Sequence, residues 1–105
     1  MADVRLELYI VGQSRNSVTA AANLRRLCEG ALAGRCDVQV VDLLEHPEAA
    51  EAANIIATPL LIRRAPLPVM RIVGDLSDTP IVLETLDLGE GPERNEDSED
   101  GRNTV

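Results

Sequence analysis

The sequence predicts an α/β domain: a βαβ unit, then a short helix, two antiparallel strands and a last helix. Three patterns carry this reading. Near the start, Val4, Leu6, Leu8 and Ile10 alternate with Arg5, Glu7 and Tyr9, the period of two that turns one side of a strand to a core. After it, Val18, Ala21, Ala22, Leu24, Leu27, Cys28 and Leu32 recur at helical spacing. Later, Pro66 and Pro68 separate two short apolar runs, as in antiparallel neighbours joined by a stiff connection. At 105 residues the chain has the size of one domain. It is 45% hydrophobic but has no Phe, no Trp and one Tyr, so its core must be aliphatic.

Taken in order, residues 4–10 form the first strand. Gly12-Gln13-Ser14-Arg15-Asn16-Ser17 supplies turn and cap residues for a long amphipathic helix, which Gly34 ends. Val38-Gln39-Val40-Val41-Asp42-Leu43-Leu44 is β-branched and nearly continuous in apolar content, as expected of a strand covered on both faces. A right-handed crossover makes it parallel to the first. His46 is expected exposed at a helix entrance. Pro47 suits a first helical turn, and residues 48–54 are nearly all strong helix formers. Leu60-Leu61-Ile62-Arg63-Arg64 and Val69-Met70-Arg71-Ile72-Val73 are the antiparallel pair. Ser77 or Asp78 can cap a last helix with Pro80 in its first turn, yet residues 81–88 also fit a period of two.

After Leu88 the composition changes to a run with almost no apolar side chain. Residues 89–105 hold six acids and two arginines, half of the net charge of −8, and are expected to be a disordered acidic tail behind a body of residues 1–88. The tail reads either as a solvating extension or as an electrostatic cover for an Arg-bearing surface.

The acidic balance argues against nucleic acid as a partner, and Tyr9 alone makes no stacking platform for single strands. No apolar run approaches the length of a membrane span or a signal-peptide core, so a cytoplasmic protein with no membrane partner is expected. His46 is the single histidine, and neither a multi-histidine metal site nor an ordinary zinc cluster can be assembled; no metal and no cofactor are expected. Cys28 and Cys36 lack redox-motif spacing and read as two small buried hydrophobes.

The order βαβ then αββα is that of a thioredoxin-like fold, with Thr58-Pro59 where such folds place a cis-proline before the third strand. Pro59 serves either backbone geometry or binding. In a redox member the loop after the first strand carries a low-pKa cysteine; here residues 12–17 contain no sulfur, so thiol–disulfide exchange has no nucleophile there.

The sequence resembles the KaiB family, the small thioredoxin-like proteins of the circadian clock. The likeness is carried by Leu8-Tyr9-Ile10-Val11-Gly12, Asn16-Ser17-Val18, Val40-Val41-Asp42-Leu43-Leu44, Asn54-Ile55-Ile56-Ala57-Thr58-Pro59-Leu60, Arg71-Ile72-Val73-Gly74-Asp75-Leu76-Ser77 and Leu86-Asp87-Leu88. It implies a protein with no catalysis of its own that binds the N-terminal ring of a KaiC-type ATPase and modulates its phosphorylation cycle. It also implies two folds: a thioredoxin-like βαβαββα monomer that binds, and a resting homotetramer, or dimer, with the switched order βαββααβ. The positions matching the family's binding surface are Gln39, Asn54, Arg63 and Arg71. Pro59, Thr85 and Asp87 are the positions expected to bear on the choice of fold.

The all-arginine, alanine-rich composition points away from a full three-component oscillator and toward a simpler two-protein timer or stress-response pair. The runner-up is a domain related to a sensor kinase that competes for the same ring. The enzyme alternative is a thioredoxin-like enzyme or adaptor using a non-cysteine site, for which Ser14 or Ser17 would have to serve, with no base nearby to activate the hydroxyl.

Overall fold

The computed structural model describes residues 3–88, and the 89–105 segment lies outside them. Its elements are β1 (Val4–Ile10), α1 (Arg15–Glu29), β2 (Cys36–Asp42), α2 (Glu48–Ala52), β3 (Leu60–Ala65), β4 (Met70–Val73) and α3 (Thr79–Thr85). The sheet order is β2-β1-β3-β4, with β1 parallel to β2 and antiparallel to β3, and β3 antiparallel to β4. This is the expected thioredoxin-like βαβαββα arrangement.

Side-chain parity divides the sheet into two faces. One buries Val4, Leu6 and Leu8 of β1 with Leu61 of β3 against Ala20, Leu24 and Leu27 of α1 and Val82 and Leu86 around α3. The other buries Tyr9, Leu60 and Ile62 beneath Ala53 at the end of α2, with Ala49, Val41, Leu43 and Ile55 beside them. The core is aliphatic apart from Tyr9.

Several local expectations are corrected. Helix α1 stops at Glu29, with the Gly30 N–H donating to Arg26 O. Leu32 keeps its place in the core from within the turn that follows, not from the helix. Strand β2 is the edge of the sheet and is not covered on both faces: Val38 is 36% and Val40 51% exposed. Helix α1 packs over β1 and β3, which leaves the outer side chains of β2 without a lid. Cys28 and Cys36 are only partly buried.

The segment that fitted two periods is a helix over Thr79–Thr85, because Asp78 Oδ1 accepts the Ile81 N–H at 3.3 Å and Pro80 lies in the first turn. Val82 within the helix and Leu86 just after it, four apart, are both buried, while Ile81 faces outward. The Thr58–Pro59 peptide bond is cis, as are Ala65–Pro66 and Leu67–Pro68. His46 is exposed beside the start of α2, within 3.6 Å of Glu48.

Candidate partner-docking face

The registers place four residues in one row across the face that carries α2. Gln39 of β2 pairs with Glu7 of β1, Glu7 with Ile62 of β3, and Ile62 with Arg71 of β4. Gln39 and Arg71 are therefore opposite ends of a single cross-sheet row, and both are exposed. Asn54 joins them from the turn just after α2. The Arg71 guanidinium donates from Nη2 to Ala53 O at 2.6 Å and from Nη1 to Asn54 O at 3.4 Å. These bonds neutralise carbonyls at the C-terminal end of α2, where a cation suits the helix dipole. Asn54 sits there at φ +57, a backbone conformation that asparagine tolerates better than most residues.

Three of the four expected binding positions, Gln39, Asn54 and Arg71, thus share one face. Arg63 does not. It is 2% exposed and points to the opposite side of the sheet, where its guanidinium donates to Leu86 O and, at 2.7 Å, to Pro68 O. Its Nε is buried with no partner among the described residues. The expectation of a surface arginine at 63 is corrected by parity: Leu61 and Arg63 alternate with Leu60 and Ile62, and only the latter pair faces α2.

Arg64 is the arginine that reaches the face of α2. Its Nε donates to Glu7 Oε1 at 2.8 Å, and the same oxygen accepts the Tyr9 hydroxyl at 2.7 Å. Burial raises the Glu7 pKa, but the Tyr9 and Arg64 hydrogen bonds and the Arg64 charge outweigh it, leaving the carboxyl below its ordinary value. Burial and the bond to Glu7 push the Tyr9 phenol up. No motif in the sequence marks Glu7, Tyr9 and Arg64 as site residues. The available signal was the alternation itself, which sets Glu7 and Tyr9 opposite the apolar side of β1.

The positions expected to bear on the choice of fold lie apart from that row. Thr85 ends α3, and Asp87 follows at φ +57, so the two flank the Leu86 carbonyl that Arg63 holds. Pro59 is buried just ahead of β3, and its carbonyl accepts the Gly74 N–H at 2.9 Å.

The loop after β1 has no chemistry to offer. Ser14 Oγ caps α1 by accepting the Ser17 N–H at 3.3 Å and donates to Ser17 Oγ at 2.8 Å. Ser17, 1% exposed, accepts the Val11 N–H at 3.0 Å. Both hydroxyls serve the helix start, which removes the basis for a serine-based thioredoxin-like site. Among the described residues no group of three or more His, Cys, Asp or Glu could hold a metal ion, and no helix is long and apolar enough to cross a membrane.

Comparison with known proteins places this arrangement in context. The KaiB domain family model matches residues 7–88. The chain is 45% identical over 83 residues to circadian clock protein KaiB3 of Synechocystis sp., covering 79% of this chain and 81% of that protein. It is 46% identical over 83 residues to the circadian clock oscillator protein KaiB of Synechococcus elongatus, with the same coverage. In fold it is similar to the N-terminal domain of Synechococcus elongatus SasA, at a TM-score of 0.65 and 21% identity, covering 88% of this chain and 90% of that one. It is also similar to mitochondrial thioredoxin 3 of Saccharomyces cerevisiae, at a TM-score of 0.66 and 16% identity over 84% of this chain and 81% of that one.

Proposed function

The chain belongs to the KaiB family, whose members at 45–46% identity carry the names of clock proteins and not of enzymes, and from that premise we propose that it is a non-catalytic cytoplasmic timing regulator. It docks on the N-terminal ring of a KaiC-type ATPase and modulates that protein's phosphorylation cycle. The observation that supports this reading is the gathering of Gln39, Asn54 and Arg71 on one face of the sheet, from three elements distant in sequence.

Exposed Arg71 offers a planar cation for a partner carboxylate, while Gln39 and Asn54 offer neutral donors and acceptors. The Glu7–Arg64 pair between them is largely self-neutralised, so the exposed charges a partner meets on this face are Arg71 at one end and Arg5 with Asp37 beside Gln39 at the other. The thioredoxin-like form described here is the docking-competent monomer. A resting homo-oligomer, tetramer or dimer, would use the switched arrangement of the second half of the chain.

The test is gel-filtration co-elution of the full chain with a KaiC-type ATPase, alongside phosphorylation time courses of that ATPase. Co-elution that slows or shifts the time course supports the proposal. Absence of both across a concentration series that brackets micromolar affinity rejects it.

A further inference from the structure

Two thiols stand where the chain turns from α1 into β2. Cys28 lies in the last turn of α1 and Cys36 opens β2. The return between them is closed by its own hydrogen bonds: Gly30 N–H to Arg26 O at 2.9 Å, Leu32 N–H to Leu27 O at 3.0 Å and Arg35 N–H to Leu32 O at 2.9 Å. Leu32 is fully buried and pins this turn to the core. The Arg35 carbonyl accepts the Asp3 and Val4 N–H groups at 3.1 and 2.9 Å, which fixes the start of β2 against β1.

Both cysteines pack against the same core cluster, both are free thiols, and each acts on the other's ionisation. The short, internally bonded turn thus brings the two thiols to one place at the edge of the core. Cys36 pairs with Val4, so the pair lies on the face of α1 and α3, opposite the row that holds Gln39 and Arg71.

We propose that Cys28 and Cys36 are a reversible dithiol–disulfide pair, a modification site separate from the docking face and closed by a peroxide or by a small-molecule disulfide. With hydrogen peroxide, Cys36 loses its proton and its sulfur attacks one peroxide oxygen. The O–O bond breaks, hydroxide leaves and is protonated to water, and a sulfenic acid remains on Cys36. Cys28 then attacks the Cys36 sulfur; the S–S bond forms, and the sulfenic hydroxyl leaves with the Cys28 proton as a second water. The two thiols lose two electrons and the peroxide gains them. With glutathione disulfide, Cys36 forms the mixed disulfide and releases one glutathione thiol, and Cys28 displaces the second.

The order of attack follows from the local electrostatics. Burial first, then the neighbouring Cys36, pushes the Cys28 thiol up to about 12. Burial raises Cys36 as well, with Asp3 adding to it, but Cys28 and the Arg35 charge offset part of that rise. Cys36 therefore ionises first and Cys28 resolves it. The cross-link ties α1 to β2 inside the βαβ unit and leaves β3, β4 and α3 without a covalent tether.

The experiment equilibrates the full chain in glutathione redox buffers, native and in urea, with acid quench, alkylation and intact-mass analysis. The expected result is a species lacking two hydrogens and carrying no alkylatable thiol, with an effective concentration about tenfold or more higher in the native chain than in urea. Cys28→Ser and Cys36→Ser, with Cys28→Ala and Cys36→Ala as alternates, should each hold a single glutathione. Native and denatured values that coincide would overturn the proposal. So would a wild-type chain that accumulates two separate glutathione adducts, or a Cys36 sulfinic acid beside a still-alkylatable Cys28. The wild-type comparison stands whether or not the single variants fold.

Discussion

The buried guanidinium of Arg63 in β3 holds the main-chain oxygen of Leu86, the C-cap residue just after α3. A second nitrogen of the same group holds Pro68 O in the connection between β3 and β4. One side chain therefore fastens both the last helix and the proline-rich connection to the sheet. It satisfies a carbonyl at the C-terminal end of α3, where a positive charge is favoured.

Replacing Arg63 by Met is expected to destabilise the thioredoxin-like form by about 3 kcal/mol, since it leaves two carbonyls short of a donor. Urea unfolding followed by circular dichroism measures this. Arg63→Lys should lose less, because one amine can reach one carbonyl but not both in the same geometry. A midpoint unchanged in Arg63→Met would show that the two bonds contribute nothing net.

Arg71→Glu should weaken binding to a KaiC-type ATPase by about 2 kcal/mol or more, because it reverses the exposed charge at the end of the cross-sheet row. Gln39→Ala should cost less, and exchange of a single tail acid for Ala should change little. Calorimetry gives the values, with circular dichroism confirming that α2 survives the loss of the Arg71 bonds to Ala53 and Asn54. Equal affinities for wild type and Arg71→Glu would remove Arg71 from the interface.

The depressed Glu7 carboxyl makes stability depend on acid pH. Its folded pKa lies below its unfolded value, so the stabilisation is present above the unfolded pKa and is lost as pH falls through the folded one. Thermal midpoints should decline across and below the ordinary carboxylate range, and Glu7→Gln should flatten that part of the curve. Tyr9 behaves in the opposite sense: its folded pKa is raised, so the stability it contributes below the unfolded phenol pKa is lost as pH rises through the folded one. Tyr9→Phe should remove that alkaline decline.

A concentration-dependent equilibrium between monomer and homo-oligomer is expected, with the oligomer gaining by mass action at high protein concentration. Asp87 adopts φ +57 in the thioredoxin-like form. Asp87→Val puts a β-branched side chain into that conformation and should lower the monomer fraction, by about 1 kcal/mol or more. Sedimentation over a range of concentrations measures both. A single monomeric species throughout would show that this chain uses only the fold described here.

The elements were legible in the sequence because each carries a local signal. The alternation of residues 4–10, the cap at Ser14 and Asp78, the alanine-rich residues 48–54 and the prolines at 66 and 68 act over a few residues, and they specify strand, helix and connection almost where the structure has them. Local signals do not state which side of an element meets its neighbour. The apolar run of β2 reads as covered on both faces, yet only the sheet order makes it an edge with Val38 and Val40 open to solvent. Nor does a pair such as Arg63-Arg64 reveal which arginine is buried. Adjacent strand residues point to opposite faces, so the choice follows from the register of β3 between β1 and β4. The row from Gln39 to Arg71 is likewise a property of three pairings at once. Gln39 and Arg71 are 32 positions apart in sequence, and packing alone aligns them, because burying Leu61 beneath α1 and Ile62 beneath α2 leaves the sheet no other phase.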